Sequence, residues 1–250
     1  MGARRTRRPV MTILRLRLES PPPTDGRLEV SGAEHRYLSR VRRARPGEPV
    51  ELFDGSGRRW RGIVENIGPA RTMLSGLVER PPAAAAPLAL GVGLGRGEPL
   101  ARLVRAAAEL AVERVVPLRC ARSLSRAAAA GAVLERLRRV AAEALRAGGA
   151  GRAPRIDEPR SLDAWCAELP PDAAKLVLDL DGRPLRDAVA ARRDPPPLWV
   201  LAVGPEGGFS EAELERLCAA GFVRASLADL PLRVETAAVG ALVALRVLVG

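Results

Sequence analysis

Lysine is almost missing from this 250-residue chain: of its 40 basic side chains, 39 are arginine and Lys175 is the one lysine. Histidine is as scarce, His35 alone, which leaves no basis for a Ser-His-Asp triad or a histidine-built metal centre, and no metal is expected. The three cysteines, Cys120, Cys166 and Cys218, stand far apart with no CxxC, arguing against a disulfide framework or a structural zinc site. A long apolar run is also lacking. Residues 237–250 are mostly apolar but too few to span a bilayer, and Arg246 interrupts them, so a buried C-terminal helix and a soluble, cytoplasmic protein with no membrane partner are expected. Near the start, Arg4, Arg5, Arg7 and Arg8 resemble a signal n-region, but Arg15 and Arg17 break the apolar run that should follow. The Met1-Gly2-Ala3-Arg4-Arg5-Thr6 match to a myristoylation pattern is short enough to arise by chance.

What is present is an ordinary globular composition, 47% hydrophobic and 28% charged, with an excess of positive charge, +11. The length fits one large domain or two small ones. Arginine in place of lysine, with abundant Ala, Gly and Pro, is also what GC-rich codons produce in any protein. Distribution separates the two explanations better. Residues 1–80 carry 17 basic and 9 acidic side chains, whereas residues 81–250 carry 23 and 20. A basic first third points to a polyanion-binding face, most simply for nucleic acid.

The hydrophobic pattern changes character along the chain. Met11–Leu18 alternates apolar and polar residues, the signature of a half-buried strand. Further strands are expected at Val50–Phe53, Trp60–Ile67 and Met73–Val78, with Asp54-Gly55-Ser56-Gly57 as a hairpin turn and a helix over Glu34–Arg45. Several short strands with one helix suggest a small β-barrel. Pro81-Pro82-Ala83-Ala84-Ala85-Ala86-Pro87 reads as a linker. Beyond it strands and helices alternate. Leu88–Leu94, Val115–Leu118, Leu176–Leu180 and Leu198–Val203 are near-continuous apolar runs, as parallel strands covered on both faces require. Pro99 fits the first turn of a helix. Leu134, Leu137, Val140, Ala141, Ala144 and Leu145 stripe another, and helices from Glu211 and from about Glu235 complete an α/β domain.

Two segments carry chemistry. In the first, the apolar run ending at Val203 enters Gly204-Pro205-Glu206-Gly207-Gly208 and then a helix, with Ser210 and Glu213 spaced as a capping box. Glycines there let a ligand approach the backbone, and the carboxyl ends of strands are where open α/β sheets bind ligands. The second is Leu227-Ala228-Asp229-Leu230-Pro231-Leu232-Arg233-Val234-Glu235-Thr236-Ala237, between a short strand and the last helix. Gly91-Val92-Gly93-Leu94-Gly95-Arg96-Gly97 lacks the third glycine of a dinucleotide fingerprint and reads better as a close strand–helix approach. Asp179-Leu180-Asp181 with Gly182 reads as a solvated turn. His35 is expected on the barrel or an RNA face, and Tyr37, Phe53 and Trp60 are expected to pack in a core more readily than to stack on bases.

Taken together, the two segments resemble the 16S ribosomal RNA uridine-N3 methyltransferases, the ribosomal RNA small subunit methyltransferase E family of the SPOUT class. The likeness extends through His35-Arg36-Tyr37-Leu38-Ser39-Arg40-Val41-Arg42-Arg43, Leu52–Gly57, Ala106–Val112, Val116-Pro117-Leu118, Arg122-Ser123, Glu143-Ala144 and Pro154. The resemblance implies an N-terminal PUA-like β-barrel over 1–80 that binds RNA, and a C-terminal α/β domain over 81–250 with a trefoil knot. It implies S-adenosylmethionine as cofactor, a homodimer through the C-terminal domain, and 16S rRNA or the 30S subunit as partner.

Gly204, Pro205, Glu206, Gly207, Gly208, Leu227, Ala228, Leu232 and Arg233 would surround the cofactor. Arg233, Glu235 and Thr236 would serve catalysis, as anion stabiliser, proton acceptor and positioning group. Arg36, Arg40, Arg42, Arg43, Arg58, Arg59, Arg61, Arg96 and Arg122 would contact RNA. Three positions depart from the family. Its Gln-Ser-x-Arg is Ala147-Gly148-Gly149-Ala150 here, its Leu-Gly-Val is Leu110-Ala111-Val112, and its Leu-Gly before the last motif is Leu227-Ala228. The alternatives are another SPOUT RNA methylation, such as ribose 2′-O-methylation, and a degenerate rRNA-binding assembly factor.

Overall fold

The computed structural model describes residues 13–81, 86–95, 97–123, 130–148 and 152–249. The chain divides into two compact units, Met1–Pro82 and Ala83–Gly250.

The first unit is a curled five-stranded sheet, a half-barrel of the PUA-like kind. Its strands are β1 (Leu14–Arg17), β2 (Leu28–Val30), β3 (Pro49–Phe53), β4 (Arg59–Ile67) and β5 (Thr72–Arg80), in the order β1-β3-β4-β5-β2. β1 runs parallel to β3, and the other pairs are antiparallel. The alternation expected around Leu14–Leu18 is real: Leu14, Leu16 and Leu18 are buried with Val50, Leu52, Trp60, Val64 and Leu74. Asp54 builds the β3–β4 turn by accepting from the Ser56 amide (2.9 Å) and hydroxyl (2.7 Å), while Gly55 takes φ 81°. The single helix expected over Glu34–Arg45 is instead α1 (Gly32–Arg36) followed by a π-helical turn, Tyr37–Val41. Arg43 at φ 50° ends it. His35 is buried in this unit, its Nδ1 2.9 Å from the buried Thr72 hydroxyl, so it belongs to the interior rather than to an RNA-facing surface.

The second unit is a seven-stranded, all-parallel sheet. Its strands are β6 (Leu88–Gly93), β7 (Arg114–Arg119), β8 (Arg155–Ile156), β9 (Arg160–Ser161), β10 (Ala174–Pro184), β11 (Trp199–Val203) and β12 (Phe222–Ser226). The order is β12-β10-β11-β6-β7-β8, with β9 pairing β7 beyond β8. The helices are α2 (Gly97–Glu109), α3 (Ala130–Gly148), α4 (Leu162–Ala167), α5 (Leu185–Ala190), α6 (Glu211–Ala219) and α7 (Val234–Val249). Every residue of β6 and β11 is buried. Alternate residues serve different cores. Leu88, Leu90, Val92, Leu201 and Val203 pack with α2, α3, α5 and α7, while Ala89, Val200 and Ala202 pack with Trp165 of α4 and Leu214 and Leu217 of α6. Coverage on both faces is why these strands read as unbroken apolar runs.

The glycines of β6 make room for neighbours. A Cβ on Gly91 would lie 2.4 Å from the Trp165 ring, and one on Gly93 would lie 2.4 Å from Pro205. Among the described residues no helix is long and apolar enough to cross a membrane.

Candidate cofactor cavity and RNA-facing surface

Three adjacent parallel strands, β12, β10 and β11, end at one edge of the sheet, and the segments that leave them enclose a cavity of about 360 Å³. β11 supplies the first wall. After Val203 the chain folds back so tightly that a Cβ on Gly204 would lie 2.7 Å from the Phe209 nitrogen. The Gly208 amide closes a turn by donating to the Pro205 carbonyl at 2.8 Å, with Gly208 at φ 70°. Ser210 and Glu213 then form the expected capping box at the start of α6.

The segment after β12 supplies the second wall, through Leu227, Ala228, Leu230, Pro231, Leu232 and Val234. Gly240 of α7 admits Leu227, whose Cδ2 would stand 2.7 Å from a Cβ at that position. The middle of β10, where its pairing with β12 is interrupted after Leu178, supplies the third, through Leu178, Asp179 and Leu180. Asp179 is ion-paired with Arg224, which also reaches Glu211 at 2.9 Å; its hydrogen bond to Asp179 raises the guanidinium pKa above the ordinary value. Asp179 therefore lies on a strand and in a cavity wall, not in a solvated turn. The signal in the sequence was an aspartate closing an apolar run at a strand's carboxyl end.

A smaller cleft lies beside the cavity, lined by Gly93, Gly95, Glu206, Val234 and Glu235 among others. The Glu206 carboxylate lies so close to Gly95 that a Cβ there would be 2.6 Å from each oxygen.

Of the residues expected around a cofactor, Gly204 to Gly208, Leu227, Ala228 and Leu232 all line the cavity. Arg233 does not. Its side chain is exposed where α7 begins, and its carbonyl accepts the first helical hydrogen bond, from Ala237 at 2.8 Å. Glu235 is half-buried in the smaller cleft, and Thr236 is exposed one residue further on. Arg122, expected on RNA, lines the cavity and donates to the carbonyls of Gly207 (2.7 Å) and Phe209 (3.3 Å).

In the first unit Arg36, Arg40, Arg42 and Arg43 are exposed around α1 and its π-helical turn, with no ion pair among the described residues. Arg61 is exposed on β4. Arg58 is engaged within the unit, gripping Glu79 through two 2.8 Å hydrogen bonds while its guanidinium lies 5.0 Å over Trp60. Arg59 is half-buried and donates to the Pro81 carbonyl at 3.2 Å. Arg96 lies outside the described residues, as do Gly149 and Ala150 of the family's Gln-Ser-x-Arg positions.

The chain combines a parallel sheet, its cavity at the carboxyl ends of the strands, with a curled-sheet unit. It matches the crystal structure of a ribosomal RNA small subunit methyltransferase E from Neisseria gonorrhoeae bound to S-adenosylmethionine, with a TM-score of 0.76 and 24% identity over 95% of this chain and 98% of that one. An RNA methyltransferase domain model matches residues 82–246, and an RNA methyltransferase PUA domain model matches residues 30–70. The chain belongs to the RNA methyltransferase family. It is 32% identical over 241 residues to ribosomal RNA small subunit methyltransferase E of Mycobacterium bovis, covering 92% of this chain and 90% of that protein. To the Synechocystis protein of the same name it is 28% identical over 207 residues, or 82% and 68% of the two.

Proposed function

We propose that this chain methylates N3 of a uridine in 16S rRNA of the small ribosomal subunit, with S-adenosylmethionine held in the 360 Å³ cavity. The observation that carries this reading is the cavity itself. Its size falls within the range of small-molecule sites, and its walls combine glycine-loop backbone with apolar side chains. Such walls suit a nucleoside-bearing cofactor, apolar surface covering the base and backbone groups meeting its polar edges. The relatives' names and the bound cofactor of the Neisseria protein support the same choice.

When bound, S-adenosylmethionine supplies a methyl group activated by its sulfonium sulfur. The chain's own residues do the remainder. Gly204 to Gly208 and Leu227 to Leu232 hold and orient, and such positioning is worth up to roughly 7–11 kcal/mol of barrier. Glu235, which shares the smaller cleft with Glu206, would accept the proton released from N3. Arg233 stabilises the developing uracil anion from its exposed place at the start of α7, and Thr236 helps fix the base.

In this reading residues 1–80 bind RNA through Arg36, Arg40, Arg42, Arg43 and Arg61, and residues 81–250 carry the chemistry. We also infer that the C-terminal unit is knotted and forms a homodimer in the cytoplasm. Leu230, Leu232, Val243, Val247 and Leu248 support dimerisation: they are apolar yet exposed, Leu230 at 72% and Val247 at 78%, and Val243 and Val247 lie one turn apart on α7.

Calorimetric titration of S-adenosylmethionine tests the cavity assignment. Saturable binding is expected, and Gly204→Ala, whose methyl would meet the loop's own backbone, should weaken it by on the order of tenfold, 1.4 kcal/mol. No binding at millimolar cofactor would overturn the reading.

A further inference from the structure

The surroundings of Arg122 point to a task other than touching RNA. Its Nη1 donates to the carbonyls of Gly207 and Phe209, and its side chain lies across Gly207, where a Cβ would sit 3.2 Å from Arg122 Cδ. The peptide group joining Phe209 to Ser210 is thereby held at its oxygen. The same peptide group is held at its other end, because the Ser210 amide donates to Glu213 Oε2 at 2.8 Å. Glu213 is only 2% exposed, and its second oxygen, Oε1, accepts from the amide of Ala121 at 2.7 Å. Ala121 is the residue before Arg122. The connections therefore close a ring, from Arg122 through the Phe209–Ser210 peptide to Glu213 and back to Ala121. Ser123 adds a further tie, its hydroxyl accepting from the Cys120 amide at 3.0 Å.

A buried carboxylate is costly unless its hydrogen bonds are made, and Glu213 makes them to two segments, through Ala121, 92 residues away in sequence, and through neighbouring Ser210. One segment is the turn after β7. The other is the stretch from Gly207 to Ser210, which supplies part of the cavity wall.

We propose that Arg122 and Glu213 are positioning residues that lock the glycine loop in its cofactor-receiving shape. This inference rests on reading the cavity as the S-adenosylmethionine site. Nη1 alone reaches both carbonyls, held there by the planar guanidinium and by the stem that crosses Gly207, so lysine, whose charge ends a longer flexible stem, should replace it only in part. Glutamine at 213 retains the shape but presents an amide N–H to one of two amide donors, so it breaks the ring at one bond.

The test is S-adenosylmethionine affinity by calorimetry, with rRNA-fragment affinity and melting temperature measured on the same proteins. Wild-type binding comes first, and its absence would overturn the cofactor-site reading itself. Given wild-type binding, Arg122→Ala should weaken cofactor affinity by roughly tenfold or more, with RNA affinity and melting temperature unchanged. Arg122→Lys should recover only part of that loss. Glu213→Gln should weaken cofactor affinity in the same direction, and the double variant should lose less than the two single losses combined, as members of one network do. If Arg122→Ala instead keeps full cofactor affinity and loses RNA binding, Arg122 is an RNA contact and the inference is wrong. Additive losses in the double variant would equally overturn the ring.

Discussion

Ala111 occupies a left-handed backbone position, φ 54°, where a side chain is normally penalised. It closes α2 in a Schellman motif, with Val112 N–H donating to the Ala107 carbonyl at 2.9 Å and Ala111 N–H to Ala108 at 3.3 Å. The family resemblance puts glycine at this position, so the departure noted in the sequence is a local strain rather than a change of fold. Ala111→Gly should stabilise the second unit by about 0.5–1 kcal/mol, the relief of strain exceeding the added freedom of the unfolded chain. Calorimetric melting should register it as a rise of roughly 1–4 °C. Cys120 carries a second residue-scale prediction. Burial, with the Glu213 charge behind it, pushes its thiol up to about 12, so almost no thiolate forms near neutral pH. Between pH 7 and 9 iodoacetamide should label the exposed Cys218 first and leave Cys120 for last, as read by mass spectrometry of time points.

At the scale of elements, α7 is fastened to the opposite end of the unit by one side chain. Arg246 donates to the carbonyls of Leu110 (2.8 Å), Ala111 (2.7 Å) and Ala86 (2.5 Å), so the end of α2 and the approach to β6 share one guanidinium. Burial lowers its pKa from the ordinary value, yet three carbonyl acceptors surround the charge. Arg246→Ala leaves those carbonyls without their donor and should cost about 2–3 kcal/mol, visible in urea denaturation. The long buried elements were legible beforehand: β6, β7, β10, β11, α2, α3, α6 and α7 each announce themselves by an apolar run or a helical stripe. β2, β8 and β9 were not, since two or three residues establish no alternation, nor were α4 and α5, which make fewer than two helical turns. The π-helical turn at Tyr37–Val41 was likewise invisible, since Leu38 buries on either a helical or a π-helical path. In the cavity, the two glycine- and proline-marked walls could be read from sequence. The β10 wall left a weaker mark, an aspartate after an apolar run that reads equally well as a solvated turn, and the Arg122–Glu213 ring left none, because its hydrogen bonds join residues far apart in the chain.

For the whole molecule, the positive charge noted at the outset has separated into parts. Much of it is spent internally: Arg58 on Glu79, Arg114 on Asp157 and Glu168, Arg224 on Asp179, and Arg246 on carbonyls. A smaller set, Arg36, Arg40, Arg42, Arg43 and Arg61, stands exposed on the first unit. The basic surface of the first unit and the cofactor cavity of the second serve one proposed reaction, methylation of a uridine base at N3. The direct measurement is primer extension on 16S rRNA in 30S subunits from a deletion strain, before and after incubation with the purified protein and S-adenosylmethionine. N3 methylation blocks Watson–Crick pairing, so a single new stop at a uridine, dependent on cofactor, is predicted. Cofactor binding with no new stop, or a stop at a ribose-methylated site, would contradict the account.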